Sequence, residues 1–338
     1  MYIEKKIISK YITYWLISIF LIVSIMIVVG GLTRLTDSGL SITQWQLFSG
    51  ILPPLNIDHW NHYFDLYKKI PEYKLQNYSM SLEEFKVIFW WEFIHRFLGR
   101  LIGLLFLVPL IYFTLKIGFK KTINFHLIFI LICLQGFIGW YMVSSGLVDR
   151  VDVSHYRLAL HLVLAFIILS LVFWNYLKYK KIELPSNKIN TFLPLSFVIL
   201  LFVQLIMGAF VSGMDAGKIY NTWPLMGNNY FPDDNLLINL FNFSSLNDPS
   251  LVQFIHRNLA YFILFFYIFI LFKVYKNKLL GYFKILNIIG ILLILQIVLG
   301  IFTLLSGAQM FISSMHQISS IFLISSSVYF LFINTKTN

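Results

Sequence analysis

Eight long apolar stretches divide this chain of 338 residues, at roughly 12–31, 87–115, 123–143, 155–177, 191–212, 250–272, 285–306 and 312–332. A run of about 18 or more such residues is long enough to cross a hydrocarbon core of about 30 Å. Lipid offers the backbone no hydrogen-bond partner, so each crossing has to be a helix that satisfies its own amides and carbonyls. Composition points the same way: 58% of residues are hydrophobic and 12% are charged, against roughly 25% charged in a soluble domain. The expected fold class is all-α: a polytopic membrane protein with eight transmembrane helices.

The net charge of +11 could suggest a nucleic-acid partner, but its distribution argues otherwise. The N-terminal tail and the segments 116–122, 178–188, 273–284 and 333–338 fall on one side of the membrane. They hold fifteen lysines against two acids, Glu4 and Glu183, and leave 11 basic and 13 acidic residues everywhere else. This is the positive-inside asymmetry, and it places both termini in the cytoplasm. No nucleic acid is expected, and membrane lipid is the surrounding partner. The first span follows Lys5, Lys6 and Lys10, with an apolar run too long for a signal-peptide core and no small-residue cleavage site after it. No Arg/Ser-rich transit peptide precedes it. It reads as a retained span in a bacterial inner membrane. Cys133 is the only cysteine, so no intrachain disulfide forms.

The chain repeats itself. Glu92-Phe-Ile-His-Arg96 matches Gln253-Phe-Ile-His-Arg257. Gln135 to Gly139, followed by Ser145 and Gly146, matches Gln296 to Gly300, followed by Ser306 and Gly307. Asp37, Gly39, Trp45 and Leu47 after the first span recur as Asp215, Gly217, Trp223 and Leu225 after the fifth. Such self-similarity marks a duplicated unit. Four spans per unit is an even number, so both units enter from one side and the repeat is parallel. The expected architecture is two tandem four-helix bundles related by a pseudo-twofold axis, 1–180 and 181–338, joined through the polar segment Lys178–Asn190 with Pro185. Two outer loops are long, 32–86 and 213–249. Their aromatics (Trp60, Tyr63, Tyr67, Tyr73, Trp223, Tyr230) and prolines (Pro53, Pro54, Pro224, Pro232) form either an interfacial belt or a cap over a ligand pocket.

Histidine carries the chemistry. His59, His62, His126 and His155 lie in loops or at span ends and read as interfacial or solvated. His95, His161, His256 and His316 lie about eight, six, six and four residues inside their spans, roughly 6–12 Å deep at about 1.5 Å per residue. Ionisable residues at such depth face a bundle interior or a cavity. In each unit they come from the second and fourth helices, which run the same way from the outer face, so two imidazoles sit at nearly one height. That arrangement suits a porphyrin iron held from both sides by histidine. Four histidines bonded to polar neighbours in a core are the alternative. Zinc fits less well, because its sites want four ligands, commonly with sulfur or carboxylate.

The units differ at one telling position. Glu92, three residues before His95 and on the same helical face, stands where the other unit has Gln253. A buried carboxylate beside a cofactor edge can take a proton or stabilise positive charge on an adjacent carbon. Chemistry is therefore expected in the N-terminal unit, and a resident, electron-relaying heme in the C-terminal one. An ion pair with Arg96, four residues on, is the competing role for Glu92. Arg96 and Arg257 hold either heme propionates or such pairs. Gly136, Gly139, Gly300 and Gly307 read as helix-contact positions rather than cofactor contacts.

Over nearly its whole length the chain resembles the heme A synthase family. The stretches that carry the resemblance are Gly30-Gly-Leu-Thr-Arg-Leu-Thr-Asp-Ser-Gly-Leu-Ser41, Glu92-Phe-Ile-His-Arg96, Tyr156-Arg-Leu-Ala-Leu-His161, Phe254-Ile-His-Arg257 and Met315-His-Gln317. The resemblance implies oxidation of a heme O ring methyl to the formyl group of heme A, in two steps through an alcohol, the second ending in loss of water from a geminal diol. It implies heme b between His256 and His316, substrate heme between His95 and His161, and Glu92 near the reacting methyl. It further implies heme O synthase as donor and cytochrome oxidase assembly as destination. Some bacterial members carry a cysteine pair in the first outer loop. This chain has none, and is similar instead to the cysteine-poor branch of mitochondria and related bacteria. A membrane b-type cytochrome that relays electrons without modifying heme, and a heme-handling factor without chemistry, remain the competing functions. The electron acceptor or donor, and association with further copies of the chain, are left open.

Overall fold

The computed structural model describes residues 2–45, 49–149, 151–180, 182 and 184–335. Leu47 and Glu183, used above, lie outside the described residues. The helices are α1 (Tyr2–Leu35), α2 (Ile57–Tyr67), α3 (Pro71–Leu75), α4 (Leu82–Ile117), α5 (Phe119–Asp149), α6 (His155–Tyr179), α7 (Phe192–Gly213), α8 (Pro249–Lys276), α9 (Phe283–Leu305) and α10 (Met310–Thr335). Eight of them, all but α2 and α3, are long and apolar enough to cross a membrane. No strand forms among the described residues beyond one isolated bridge, Met226 to Asn229. The protein is an all-α, multi-pass membrane protein.

The chain clusters into two compact units, Ile17–Ile168, and Leu169–Asn338 together with Met1–Leu16. In the first, α4 outruns its expected span. Its 36 residues make a rod of about 54 Å at about 1.5 Å per residue. The early start has a local cause: Ser81 and Glu84 form a reciprocal capping box, with Glu84 N donating to Ser81 Oγ (3.3 Å) and Ser81 N donating to Glu84 Oε2 (2.7 Å). The added residues 82–86 carry Phe85 into the first outer loop, in line with Phe89 one turn on.

That loop folds as a cap. Tyr67, Phe64, Ile70, Leu40 and Ile42 pack with Phe85, Ile88, Phe89, Phe93 and Val153 into one apolar cluster. Trp60 meets Phe89 edge-on at 5.0 Å, and Tyr67 lies 5.2 Å from Phe85 and 5.7 Å from Tyr73. Of the two roles open to these aromatics, the first loop takes the cap. In the second loop, Trp223 and Tyr230 are exposed and tether to α8 instead, Trp223 Nε1 to Tyr261 Oη (2.8 Å) and Tyr230 Oη to Asn258 Oδ1 (2.6 Å). His59 and His62 are exposed as expected. His155 is not: it is buried at the start of α6, its ring 4.1 Å from that of Tyr156.

In the other unit α7 packs on α8 and α10, and α9 packs on α10. The polar segment before α7 is pinned rather than loose. Asn334 Nδ2 donates to Ile189 O (3.1 Å), while Asn334 Oδ1 accepts from Ile189 N (3.1 Å) and Tyr282 Oη (2.7 Å). The duplication reaches the backbone: Asp37 (φ 48°) and Asp215 (φ 51°), at matching positions, both adopt the left-handed conformation that aspartate tolerates. Each pairs with a nearby cation, Arg34 at 2.6 Å and Lys218 at 3.1 Å.

Within the cap, Glu72 is 3% exposed. Burial pushes its carboxyl up to about 8, with the nearby charges of Glu92, Asp152 and Asp37 adding to the rise and a hydrogen bond with Tyr67 opposing it. A carboxyl whose folded value lies above its ordinary 4.5 favours folding most when both states are protonated. That contribution is full below about pH 4.5 and is lost as pH rises through 8. Glu72→Gln should therefore melt with the parent protein at pH 5 and several degrees above it at pH 9. Melting curves that coincide at both pH values would rule out a buried neutral carboxyl.

Candidate functional site

In the Ile17–Ile168 unit, α4 and α6 bring His95 and His161 face to face, ring centres 6.4 Å apart and planes at 55°. Two metal–nitrogen bonds of about 2 Å, with about 1 Å from each nitrogen to its ring centre, span about 6 Å. The gap thus fits one metal ion ligated from both sides. Nδ1 of His95 and Nδ1 of His161 are buried with no hydrogen-bond partner, so the protein alone does not satisfy these rings. In the second unit, Gln204 Nε2 lies 3.4 Å from Nε2 of His256 on α8, and Gln296 Nε2 lies 3.4 Å from Nε2 of His316 on α10. Nδ1 of His256 is likewise buried and unpartnered. Nδ1 of His316 lies 3.1 Å from the Gln296 carbonyl. A carbonyl only accepts, so the ring proton sits on Nδ1 and Nε2 keeps its lone pair, as in a metal-ligating histidine oriented by a carbonyl. The separation of the first pair fits a bis-histidine heme.

Glu92 is 2% exposed and accepts four hydrogen bonds. Ser41 Oγ and Ile42 N, each at 2.7 Å, donate to Oε2. Arg96 Nε (3.0 Å) and Nη2 (2.6 Å) donate to Oε1. The ion pair with Arg96 weighed above is therefore present. Arg96 also donates from Nη2 to Ile42 O (2.7 Å) and from Nη1 to Gln44 O (3.2 Å). Its guanidinium lies 5.4 Å from the ring centre of Trp45. One helix turn thereby clasps the start of the first outer loop. Arg96 also lines a cavity of about 190 Å³ with Ile42, Trp45, Trp140 and Leu147.

Gln253 and Arg257 rebuild this clasp in the second unit with the polarity reversed. Gln253 Nε2 donates to the carbonyls of Ala216 (2.9 Å) and Tyr220 (3.2 Å), and its Oε1 accepts from Arg257 Nη2 (3.1 Å). Arg257 ties down Tyr220 O (3.0 Å) and Thr222 O (3.0 Å). Where the first loop presents donors to a carboxylate, the second presents acceptors to an amide. Each loop accepts only its own partner, because a buried group facing like dipoles costs about 1–3 kcal/mol.

Sequence reasoning singled out the histidines, Glu92 and the arginines but passed over what surrounds the imidazoles. Gly139 and Gly300 are indeed contact positions, and what they contact is a ring: a Cβ there would stand 2.9 Å from His161 and 3.0 Å from His316. Gly30 and Gly208 stand in the same relation to His95 and His256. Gln135 and Gln204 donate to the carbonyls of His161 and His256, both at 3.0 Å. The recurrence of Gln-x-x-x-Gly at 135–139, 204–208 and 296–300 is the signal that would have found them.

Residues 13–328 match the COX15-CtaA family, described as cytochrome oxidase assembly protein. A heme A synthase of Pelagibacter ubique (strain HTCC1062) is 50% identical over 342 residues, covering the whole of both chains. A heme A synthase of Rickettsia bellii (strain RML369-C) is 44% identical, covering 94% of this chain and 96% of its own. One from Parvibaculum lavamentivorans is 47% identical over 75% of this chain and 74% of its own. The chain therefore belongs to the COX15-CtaA family of cytochrome oxidase assembly proteins.

Proposed function

We propose that this chain is a heme A synthase, which oxidises a ring methyl of heme O to a formyl group through a hydroxymethyl stage. It is an enzyme of heme A biosynthesis and serves cytochrome oxidase assembly. Full-length relatives at 40–50% identity bear that name, which disfavours a cytochrome that only relays electrons. The observation that carries the site assignment is the 6.4 Å gap between His95 and His161, with Glu92 one turn away on α4.

Substrate heme O binds in the unit 1–180, between His95 and His161. A resident heme b binds in the unit 181–338 between His256 and His316, where it supplies one-electron transfer. Taking two electrons and a proton from a methyl carbon builds positive charge there, which a water oxygen quenches to give the hydroxymethyl group and a second proton. Glu92, fixed by four donors, is oriented to stabilise that charge; a proton on it would remove an acceptor that Ser41, Ile42 and Arg96 already use. This favours electrostatic stabilisation over proton abstraction. Gln253, an amide turned toward carbonyls, offers no such charge. Arg96, which lines the cavity beside Trp45, and Arg257 are the cations available to heme propionates.

The lysine asymmetry supports a bacterial inner membrane with both termini cytoplasmic. A synthase that makes heme O is the upstream partner, and a separate acceptor takes the electrons.

Product analysis tests the reaction. Pigment extracted from the protein co-expressed with a heme O synthase should contain hydroxymethyl or formyl heme; heme B and heme O alone would sink the enzyme reading. Glu92→Gln should keep the resident heme and lower heme A yield about a hundredfold or more, and a normal yield would take Glu92 out of the mechanism. His256→Ala or His316→Ala should strip the resident heme, with the b-type absorbance band as readout. An unchanged band would refute that pair as its ligands.

A further inference from the structure

Each of the four histidines lies edge-on against a glycine of the preceding membrane helix. A Cβ on Gly30 would stand 2.9 Å from Cε1 of His95, on Gly139 2.9 Å from that of His161, on Gly208 3.2 Å from that of His256, and on Gly300 3.0 Å from that of His316. In every case Cε1 is the nearest atom and Nδ1 the next. Carbon atoms pack without repulsion at about 3.5–4.0 Å, so any larger residue turns or displaces the ring. The same edge of the same ring is set by the same missing side chain four times.

One turn before three of the four glycines a second element recurs, a glutamine. Gln135 and Gln204 each donate Nε2 to the backbone carbonyl of the histidine they face, at 3.0 Å. Gln296 acts through its own carbonyl, which takes the Nδ1 proton of His316 at 3.1 Å, while its side-chain oxygen accepts from the Ser319 hydroxyl. The residue one turn beyond each histidine is small (Gly99, Ala165, Ala260, Ser320), which keeps that carbonyl within reach of a neighbouring helix. The fourth position breaks the pattern. Met26 precedes Gly30 by four residues, and its Cε lies 3.5 Å from where a Cβ on Gly99 would stand. It fills the place of a glutamine with a thioether that donates nothing.

We propose that Gln-x-x-x-Gly, on the first and third membrane helices of each repeat, positions the iron-ligating imidazoles, and that Met26 in place of glutamine leaves His95 the most loosely set of the four. The inference rests on the heme reading above and assigns these residues a positioning role, exerted through the histidines. It separates the two sites by purpose. His316, tied at Nδ1, suits a group that stays. His95, without an amide on its carbonyl, suits a site that takes in one heme and gives up another.

The test uses purified, heme-loaded protein. Gly208→Ala and Gly300→Ala should keep heme bound but shift the low-spin g-values and the midpoint potential of the resident heme. Gly139→Ala should shift the signal of the N-terminal site. Gly136→Ala, on the same helix, is the control, since a Cβ there meets nothing within 4 Å and the spectrum should not move. Met26→Gln, nearly isosteric, should slow heme transfer from the N-terminal site to apomyoglobin threefold or more. Glycine variants that leave a normal parent spectrum unmoved, or a Gly136→Ala shift as large as that of Gly139→Ala, would overturn the device. Unchanged transfer in Met26→Gln would overturn the grading. A parent protein devoid of low-spin heme would overturn the heme reading, and the device with it.

Discussion

A polar group inside hydrocarbon must find its partner in protein or in a bound cofactor, because no water is there to supply one. That constraint organises this molecule. It makes the spans helical, and it draws Glu92 and Gln253 into dense hydrogen-bonded sets with their arginines and the facing loops. Glu92 receives four hydrogen bonds, and Gln253 both gives and takes. Nδ1 of His95, His161 and His256 is buried without a partner, as are Glu72 Oε2, Gln135 Oε1, Gln204 Oε1 and Arg257 Nε. The rings of His95 and His161 face each other across 6.4 Å, each with one edge set against a glycine of a neighbouring helix.

The two clasps show how a duplicated unit diverges without losing its fold. A single exchange of carboxylate for amide would cost about 1–3 kcal/mol on its own, since the facing loop would then present dipoles of the wrong sign. The loops changed with it. Ser41 and the amide of Ile42 turn donors inward in one unit; the carbonyls of Ala216 and Tyr220 turn acceptors inward in the other. Both clasps keep an arginine four residues on, so the anchoring function persists while the charge at the site differs. The contrast between the units is thus written into backbone direction as well as residue identity.

Much of this was legible in the sequence, for physical reasons that also set the limits. Span number follows from apolar length, and the depth of the four histidines follows from counting along a helix of known rise. The Glu92/Gln253 contrast follows from aligning two copies of one motif. The partners of Glu92 were not legible, because one is a backbone amide and amides carry no letter. The cap was legible only as a cluster of aromatics: nothing local distinguishes Tyr67 in a sealed core from Trp223 in an open loop. Gln204 and Gly208 were missed because the quoted repeats compared the third and seventh spans, while this pair sits in the fifth. His155 looked like a surface residue because it begins a helix, yet the packing around α6 encloses it.

The unbroken length of α4 has a mechanical meaning. Phe85 and Phe89 in the cap core, Glu92 in the clasp and His95 opposite His161 all ride on one helix of 36 residues. A helix transmits displacement along its axis far better than a jointed loop would. Any shift of the cap is therefore delivered to the imidazole below it, and any movement of that imidazole reaches the outer surface. In this unit, the cap and the imidazole form a single lever.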